Sequence, residues 1–371
     1  MDSIRTILKR APATIVLHTL RTVFSMPPVA ARLLIAGFTS PTQPQQPWIK
    51  HVDNEIWKGA YIAHNINACS DEEATQRVQN ADMRVESVRE KLCINRWLFL
   101  VGLAPQVKYP TPVLECVQAY EYLTTTLNVP GNRIIVSGDS AGGALCLEML
   151  VRFYAPGILT DHDAPRENFA VELPAGMLLV SPLVSGEVSA WRWDLADMIT
   201  PMLAQRVLKD YLDLPNVNPE DLPILRLRHI TKDYHRFAPK NMVFFVGDQE
   251  VMRDDILTVA NNVKNQENVN IQICKEDYPH DWFLIREIVP LKDKPMLERY
   301  DNMFVDFAAR SVNDACIGIP YGSPETTHDG IIESVPVEDP KQQIPAVPAV
   351  QTTTATTATT TTATTTTTLV A

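Results

Sequence analysis

Glycine is scarce, with 14 in 371 residues, and there is none between Tyr61 and Val101. Glycine lets a backbone turn at positive φ or approach a ligand closely. That stretch therefore holds no glycine-rich loop. Cysteine is also sparse. Cys69, Cys93, Cys116, Cys146, Cys274 and Cys316 are scattered and include no Cys-x-x-Cys pair. This argues against a metal site or a dense disulfide framework and for buried free thiols in a reducing compartment. Positive charge is in deficit: 33 basic residues face 44 acidic ones, for a formal net charge of −11. Nucleic-acid binding needs a basic face, so no nucleic-acid partner is expected. Within the first 50 residues no uncharged apolar run approaches the ~20 residues that span a bilayer. What remains is globular in composition, 45% hydrophobic and 21% charged, and long enough for a large single-core domain.

The first 50 residues differ from the rest. They carry Arg5, Lys9, Arg10, Arg21, Arg32 and Lys50 against one acid, Asp2. Apolar segments from Ala11 to Leu20 and Val29 to Phe38 are interrupted by His18, Arg21, Pro27, Pro28 and Arg32. A secretory signal would have a cleaner apolar region and a small-residue cleavage site. Two readings stay open: an amphipathic segment making peripheral membrane contact or carrying a mitochondrial address, and a helix pair packed on the domain. Pro41 to Pro47 reads as a linker. At the other end, residues 352–368 are 14 threonines and three alanines. Such a tract has almost nothing to bury and is expected to be disordered.

Between these ends, short apolar runs alternate with helical patterns. Ile56 to Ala63 reads as a strand or short hairpin. Trp97 to Val101 reads as a buried parallel strand, and a helix follows over about 112–127. Ala175 to Val180, Met242 to Val246 and Val269 to Cys274 read as further strands, with helices over about 254–264 and 295–309. Residues 184–239 read as irregular, with several prolines. Apolar strands alternating with helices predict a mostly parallel sheet covered on both faces, an α/β fold.

The chemistry centres on Gly138-Asp139-Ser140-Ala141-Gly142-Gly143. The apolar Arg133 to Ser137 leads in and the helical Ala144 to Leu150 leads out. Strand, Gly-x-Ser-x-Gly, helix is the layout of a nucleophile elbow, which exposes the serine oxygen beside a helix N-terminus. A serine hydroxyl is a weak nucleophile until a base takes its proton. After the elbow the chain offers His280, in a loop just past an apolar strand, and His328, in the tail beside Gly330. The position of His280 makes it the expected base. The acid that orients it should follow the preceding strand, where Asp248 and Glu250 stand closest; spacing does not choose between them. Asp254 and Asp255 suit the first turn of a helix. Ala141 supplies an amide for the oxyanion. Trp191, Trp193, Met198 and Met202 line an acyl pocket or pack a cap. Asp277 and Asp281 flank His280 as tuning groups or as solvated carboxylates, and Asp139 bonds locally. No metal or cofactor is implied.

Taken together, these blocks resemble the hormone-sensitive-lipase group of α/β-hydrolases, including fungal steryl-acetate and arylacetamide-type esterases. The matching pieces are Gly138 to Gly143, Leu103-Ala104-Pro105 with Tyr109-Pro110, Ser181-Pro182, and Glu250 to Asp255 with His280-Asp281-Trp282-Phe283. The resemblance spans roughly Trp57 to Ala309. It implies an α/β-hydrolase domain over 51–318 with a cap-like insertion over about 184–239. An N-terminal segment occupies 1–50 and a threonine-rich tail 319–371. It implies hydrolysis of small or apolar acyl esters by Ser140, His280 and Glu250, and a place in lipid metabolism. The expected location is cytoplasmic, with association with an intracellular membrane surface under the membrane-contact reading of residues 1–50.

One block is absent. The group carries His-Gly-Gly-Gly upstream, and its amides make much of the oxyanion hole. Here a segment is missing near Met83 to Trp97, as if one central strand had been removed. Two readings from other classes follow. One is a catalytically impaired, ligand-binding relative or truncated isoform. The other is a serine peptidase on the same fold.

Overall fold

The computed structural model describes residues 7–8, 10–53, 58–62, 65–79, 96–100, 106–159, 172–186, 195–212, 222–266, 268–317 and 331–333. Leu103 to Pro105, Trp191, Trp193, the segment expected to lack a strand (except Arg96 and Trp97) and the threonine tract lie outside them.

Among the described residues the strands form two sheets. The first orders β1 (Ile49–Asp53), β2 (Lys58–Ile62) and β3 (Arg96–Leu100), paired antiparallel. The second orders β4 (Ile135–Asp139), β5 (Gly176–Val180), β6 (Asn241–Gly247), β7 (Asn270–Glu276) and β8 (Ile331–Glu333), all parallel. Helices α1 (Ala13–Ser25), α2 (Pro28–Thr39), α3 (Asp71–Gln79), α4 (Thr111–Glu121), α5 (Ser140–Tyr154), α6 (Pro201–Leu212), α7 (Arg253–Lys264) and α8 (Lys294–Ile317) complete the architecture. Every residue of β5 and β6 is buried. Fully burying one Val, Leu, Ile or Phe contributes about 1.5–3 kcal/mol. That is why unbroken apolar runs such as Met242 to Val246 become central strands rather than surface ones. Leu147, Leu150 and Val151 of α5 and Ile256, Val259 and Val263 of α7 join the same core, as do Leu297, Tyr300 and Phe307 of α8.

Two expectations need correction. The apolar run at Trp97 forms β3, which pairs antiparallel with β2 and not in the parallel sheet. An apolar run reports burial and carries no information about strand direction. Residues 184–239 are not irregular throughout, because α6 lies within them. Thr200-Pro201 opens it: the Leu203 amide donates to Thr200 Oγ1 at 3.2 Å, and proline suits a first helical turn. The Pro41 to Pro47 linker runs into a 3-10 turn, Gln46–Trp48, and then β1, the first arm of a hairpin with β2.

The N-terminal helix α1 packs on the domain. Val16 and Val23 of α1 are buried. The Arg206 guanidinium of α6 donates to the carbonyls of Phe24, at 3.1 Å, and Met26. No described helix is long and apolar enough to cross a membrane.

Candidate active site

β4 ends at Asp139 and α5 begins at Ser140 with no intervening residue. Ser140 takes a φ of 48°, left-handed backbone that costs a non-glycine residue about 1–3 kcal/mol and collects at functional sites. The surroundings leave room for little else. A Cβ at Gly138 would lie 2.5 Å from the Gly142 carbonyl oxygen, and one at Gly143 would lie 2.7 Å from Pro182 Cβ. The Ser140 carbonyl accepts the Leu183 amide at 2.9 Å. Ala141 is exposed in the first turn of α5, where amides have no acceptor within their own helix.

Two turns at the ends of β6 and β7 bring in the other groups. Gly247 ends β6, and a Cβ there would sit 2.3 Å from the Tyr278 carbonyl oxygen. The turns thus meet backbone to backbone. The Asp248 amide donates to the Glu276 carbonyl at 2.7 Å and the Gln249 amide to that of Tyr278 at 3.1 Å. Trp282 is fully buried and its Nε1 donates to the Val246 carbonyl at 3.1 Å. This holds the segment after His280 against β6.

His280 Nε2 lies 2.9 Å from Ser140 Oγ, and its Nδ1 lies 3.0 Å from Glu250 Oε2. Glu250 is fully buried, and its Oε1 accepts the Gly247 amide at 3.0 Å. An ionised Glu250 fixes the proton on Nδ1 and leaves Nε2 to accept the serine hydroxyl, which is the division of labour a catalytic serine requires. Asp248 is placed elsewhere. Its side chain is 37% exposed, with Oδ1 3.3 Å from the Arg253 guanidinium and 3.2 Å from Lys275 Nζ.

Three groups at the site carry less obvious signals. Asp281 follows His280 with a φ of 58°, and its Oδ2 lies 3.3 Å from His280 Nε2. Its Oδ1 is buried without a hydrogen-bond partner. Its amide donates to Ser181 Oγ at 3.1 Å, and Ser181 itself sits at φ 43°. Asp197, from the segment before α6, is fully buried and accepts amides from the Glu250 and His280 turns. It is 54 residues from Val251 and 83 from His280 in the chain, so no local spacing marks it. Met198 is buried beside it, whereas Met202 is 51% exposed and does not fill the core.

Burial disfavours a charged His280, but Asp281, the Glu250 hydrogen bond and charge, and Asp197 outweigh it and raise its pKa to about 10. Burial raises the carboxyl of Asp281 to about 7 and that of Asp197 to about 6. Among the described residues, no three His, Cys, Asp or Glu side chains are arranged to hold a metal ion.

A family profile described as alpha/beta hydrolase fold matches residues 102–284, which include Ser140, Glu250 and His280. Hormone-sensitive lipase of Mus musculus is 31% identical over 110 residues, covering 29% of this chain and 13% of that protein. The chain is an α/β-hydrolase, similar to the hormone-sensitive-lipase group. Lipase 2 of Moraxella sp. (strain TA144) is 25% identical over 196 residues, covering 46% of this hydrolase and 42% of that lipase. The hydrolase thus spans less than half the length of these two curated relatives. Among solved structures, an esterase of the bacterial hormone-sensitive-lipase family superposes with a TM-score of 0.57 at 18% identity, over 81% of this chain and 98% of that one. A homologue from a metagenome library gives 0.56 at 17%, over 81% and 99%. At such identity the likeness is one of fold.

Proposed function

We propose that this hydrolase cleaves small or apolar carboxylic esters through an acyl-enzyme. The carrying observation is the relay from Ser140 Oγ through His280, at 2.9 and 3.0 Å, to Glu250 Oε2, set on a strained elbow. Ser140 Oγ attacks the acyl carbonyl while His280 Nε2 takes its proton. The imidazolium, held by Glu250, then protonates the departing alcohol. The Ala141 amide donates to the oxyanion. Water, activated by the same nitrogen, attacks the acyl-serine and releases the acid.

The test is p-nitrophenyl acetate hydrolysis by the purified chain and its Ser140→Ala variant. We expect a rate at least ~10³-fold above that of the variant, in keeping with the contribution of a serine–histidine pair. Equal, background-level rates would sink the proposal. Activity confined to peptide substrates would favour a peptidase. Glu250→Ala should lose most activity and Asp248→Ala little.

One feature favours a second reading, a ligand-binding relative with impaired catalysis. The sequence has no His-Gly-Gly-Gly block and no glycine between Tyr61 and Val101. Removing one oxyanion donor typically costs about 2.7–4 kcal/mol of transition-state stabilisation. Saturable binding of an ester without turnover would distinguish this reading.

A further inference from the structure

We propose that Asp197 is a positioning residue whose carboxylate registers the Glu250 turn and the His280 turn against each other. The proposal rests on the reading of Ser140, His280 and Glu250 given above. Oδ2 accepts the amide of Val251, the residue after Glu250, at 2.8 Å. Oδ1 accepts the amide of His280 itself at 3.2 Å and that of Ile199 at 3.4 Å. One side chain thus bridges the backbone beside the acid and the backbone of the base. Its own backbone is held from a third element: Arg21 of α1 donates through Nε to the Asp197 carbonyl at 2.6 Å, and also through a terminal guanidinium nitrogen.

The residue type fits this task. A fully buried carboxylate is costly unless its oxygens are satisfied, and here amides satisfy them; among the described residues no lysine or arginine pairs with that carboxylate. Both oxygens must accept. Asparagine has the same shape but one acceptor oxygen, and its NH2 would face an amide N–H. Alanine removes both acceptors and leaves buried amides without partners. The contact between His280 Nδ1 and Glu250 Oε2 depends on how the two turns sit, and a misplacement of about 1 Å in a reacting assembly can cost ~10²-fold in rate.

The test compares wild type, Asp197→Asn and Asp197→Ala in two ways. Hydrolysis of p-nitrophenyl acetate is followed well below each protein's thermal midpoint, with kcat and KM separated. The proton bridging His280 Nδ1 and Glu250 is observed directly as a low-field proton NMR resonance, which needs no turnover. The expected result is kcat down by about 10–100-fold in Asp197→Ala and less in Asp197→Asn, with KM nearly constant. The resonance should be shifted or broadened in both variants. Should Asp197→Ala not fold, Asp197→Asn carries both measurements. An unmoved resonance with wild-type kcat in the asparagine variant overturns the proposal, as does a loss that appears only in KM. If the wild type turns over no ester but the variants lose the resonance, Asp197 keeps its role and ester hydrolysis fails. If the wild type is active and the resonance does not move, the reverse holds.

Discussion

Asp281 Oδ2 lies 3.3 Å from the same His280 nitrogen that meets Ser140. A general base must be unprotonated to accept the serine proton. Asp281 is the largest of the influences raising the His280 pKa, so its charge holds the base in its protonated, inactive form to higher pH. Activity should therefore rise with pH, and Asp281→Asn should shift that rising limb of kcat/KM to lower pH. An opposite charge at this range is worth about 1–3 pH units. A limb that stays in place, or moves upward, would show that Asp281 does not act on the base. Gly143 is closely confined as well. A Cβ there meets Pro182 Cβ at 2.7 Å, and the backbone on either side belongs to the elbow. Gly143→Val should cost roughly 1–3 kcal/mol by overpacking, seen as a lower urea midpoint. An unchanged midpoint would mean that the Ser181-Pro182 turn yields freely. At this scale the sequence was legible where function imposes a pattern. The family motifs single out Ser140, His280 and Glu250, and in the structure Ser140 Oγ lies 2.9 Å from His280 Nε2 and Glu250 Oε2 lies 3.0 Å from His280 Nδ1. Asp197 and Ser181 Oγ act through backbone amides distant in the chain, which no side-chain motif records.

Elements were legible to the extent that their burial was one-sided or complete. β5, β6 and α7 sit close to where the apolar runs and helical spacing put them. β1 was missed because Ile49-Lys50-His51-Val52-Asp53 is only partly buried and carries no apolar run. α6 was missed because prolines around it read as breaks, although one of them starts it. Between elements, a buried polar group joins the segment before α4 to α5. Glu148 of α5 is fully buried and takes Tyr109 Oη at 2.6 Å, with Arg152 Nε at 2.8 Å. Burial of the phenol, then the Glu148 charge, pushes the Tyr109 pKa well up and keeps its proton available for donation. Glu148→Ala would take the acceptor from the Tyr109 hydroxyl and the carboxylate from Arg152, which would keep its bond to that hydroxyl at 3.0 Å. Breaking a fully buried pair costs about 3–5 kcal/mol, but the Arg152 side chain is 21% exposed and water recovers part of that. A loss of about 2–3 kcal/mol in unfolding free energy is expected, read from the urea midpoint at constant m-value. A loss below about 0.5 kcal/mol, the range of an ordinary surface substitution, would show that this group does not join the elements.

For the molecule as a whole, alternating strands and helices announced a parallel sheet, and β4 to β8 form one. The pattern could not announce that the sheet divides. Among the described residues β3 pairs only with β2, and β4 stands at the end of its own sheet. The glycine-free stretch falls between β2 and β4 in the chain, where the group's strand and oxyanion loop would be expected. If that absence is what limits catalysis, restoring the segment should act on rate and stability together. Consider a chimera in which a strand and His-Gly-Gly-Gly loop from an esterase of this group are inserted between Met83 and Trp97. Each oxyanion donor is worth about 10²–10³ in kcat, so p-nitrophenyl acetate turnover should rise by at least that factor and should vanish with Ser140→Ala. A new strand beside β4 would also pair an open ladder edge and raise the urea midpoint. A higher midpoint without faster turnover would mean that the insert folds but supplies no donor the enzyme lacks, which would exclude the missing loop as the cause of slow chemistry. Faster turnover without added stability would place the gain in the oxyanion alone, with the two sheets already stable as separate ladders.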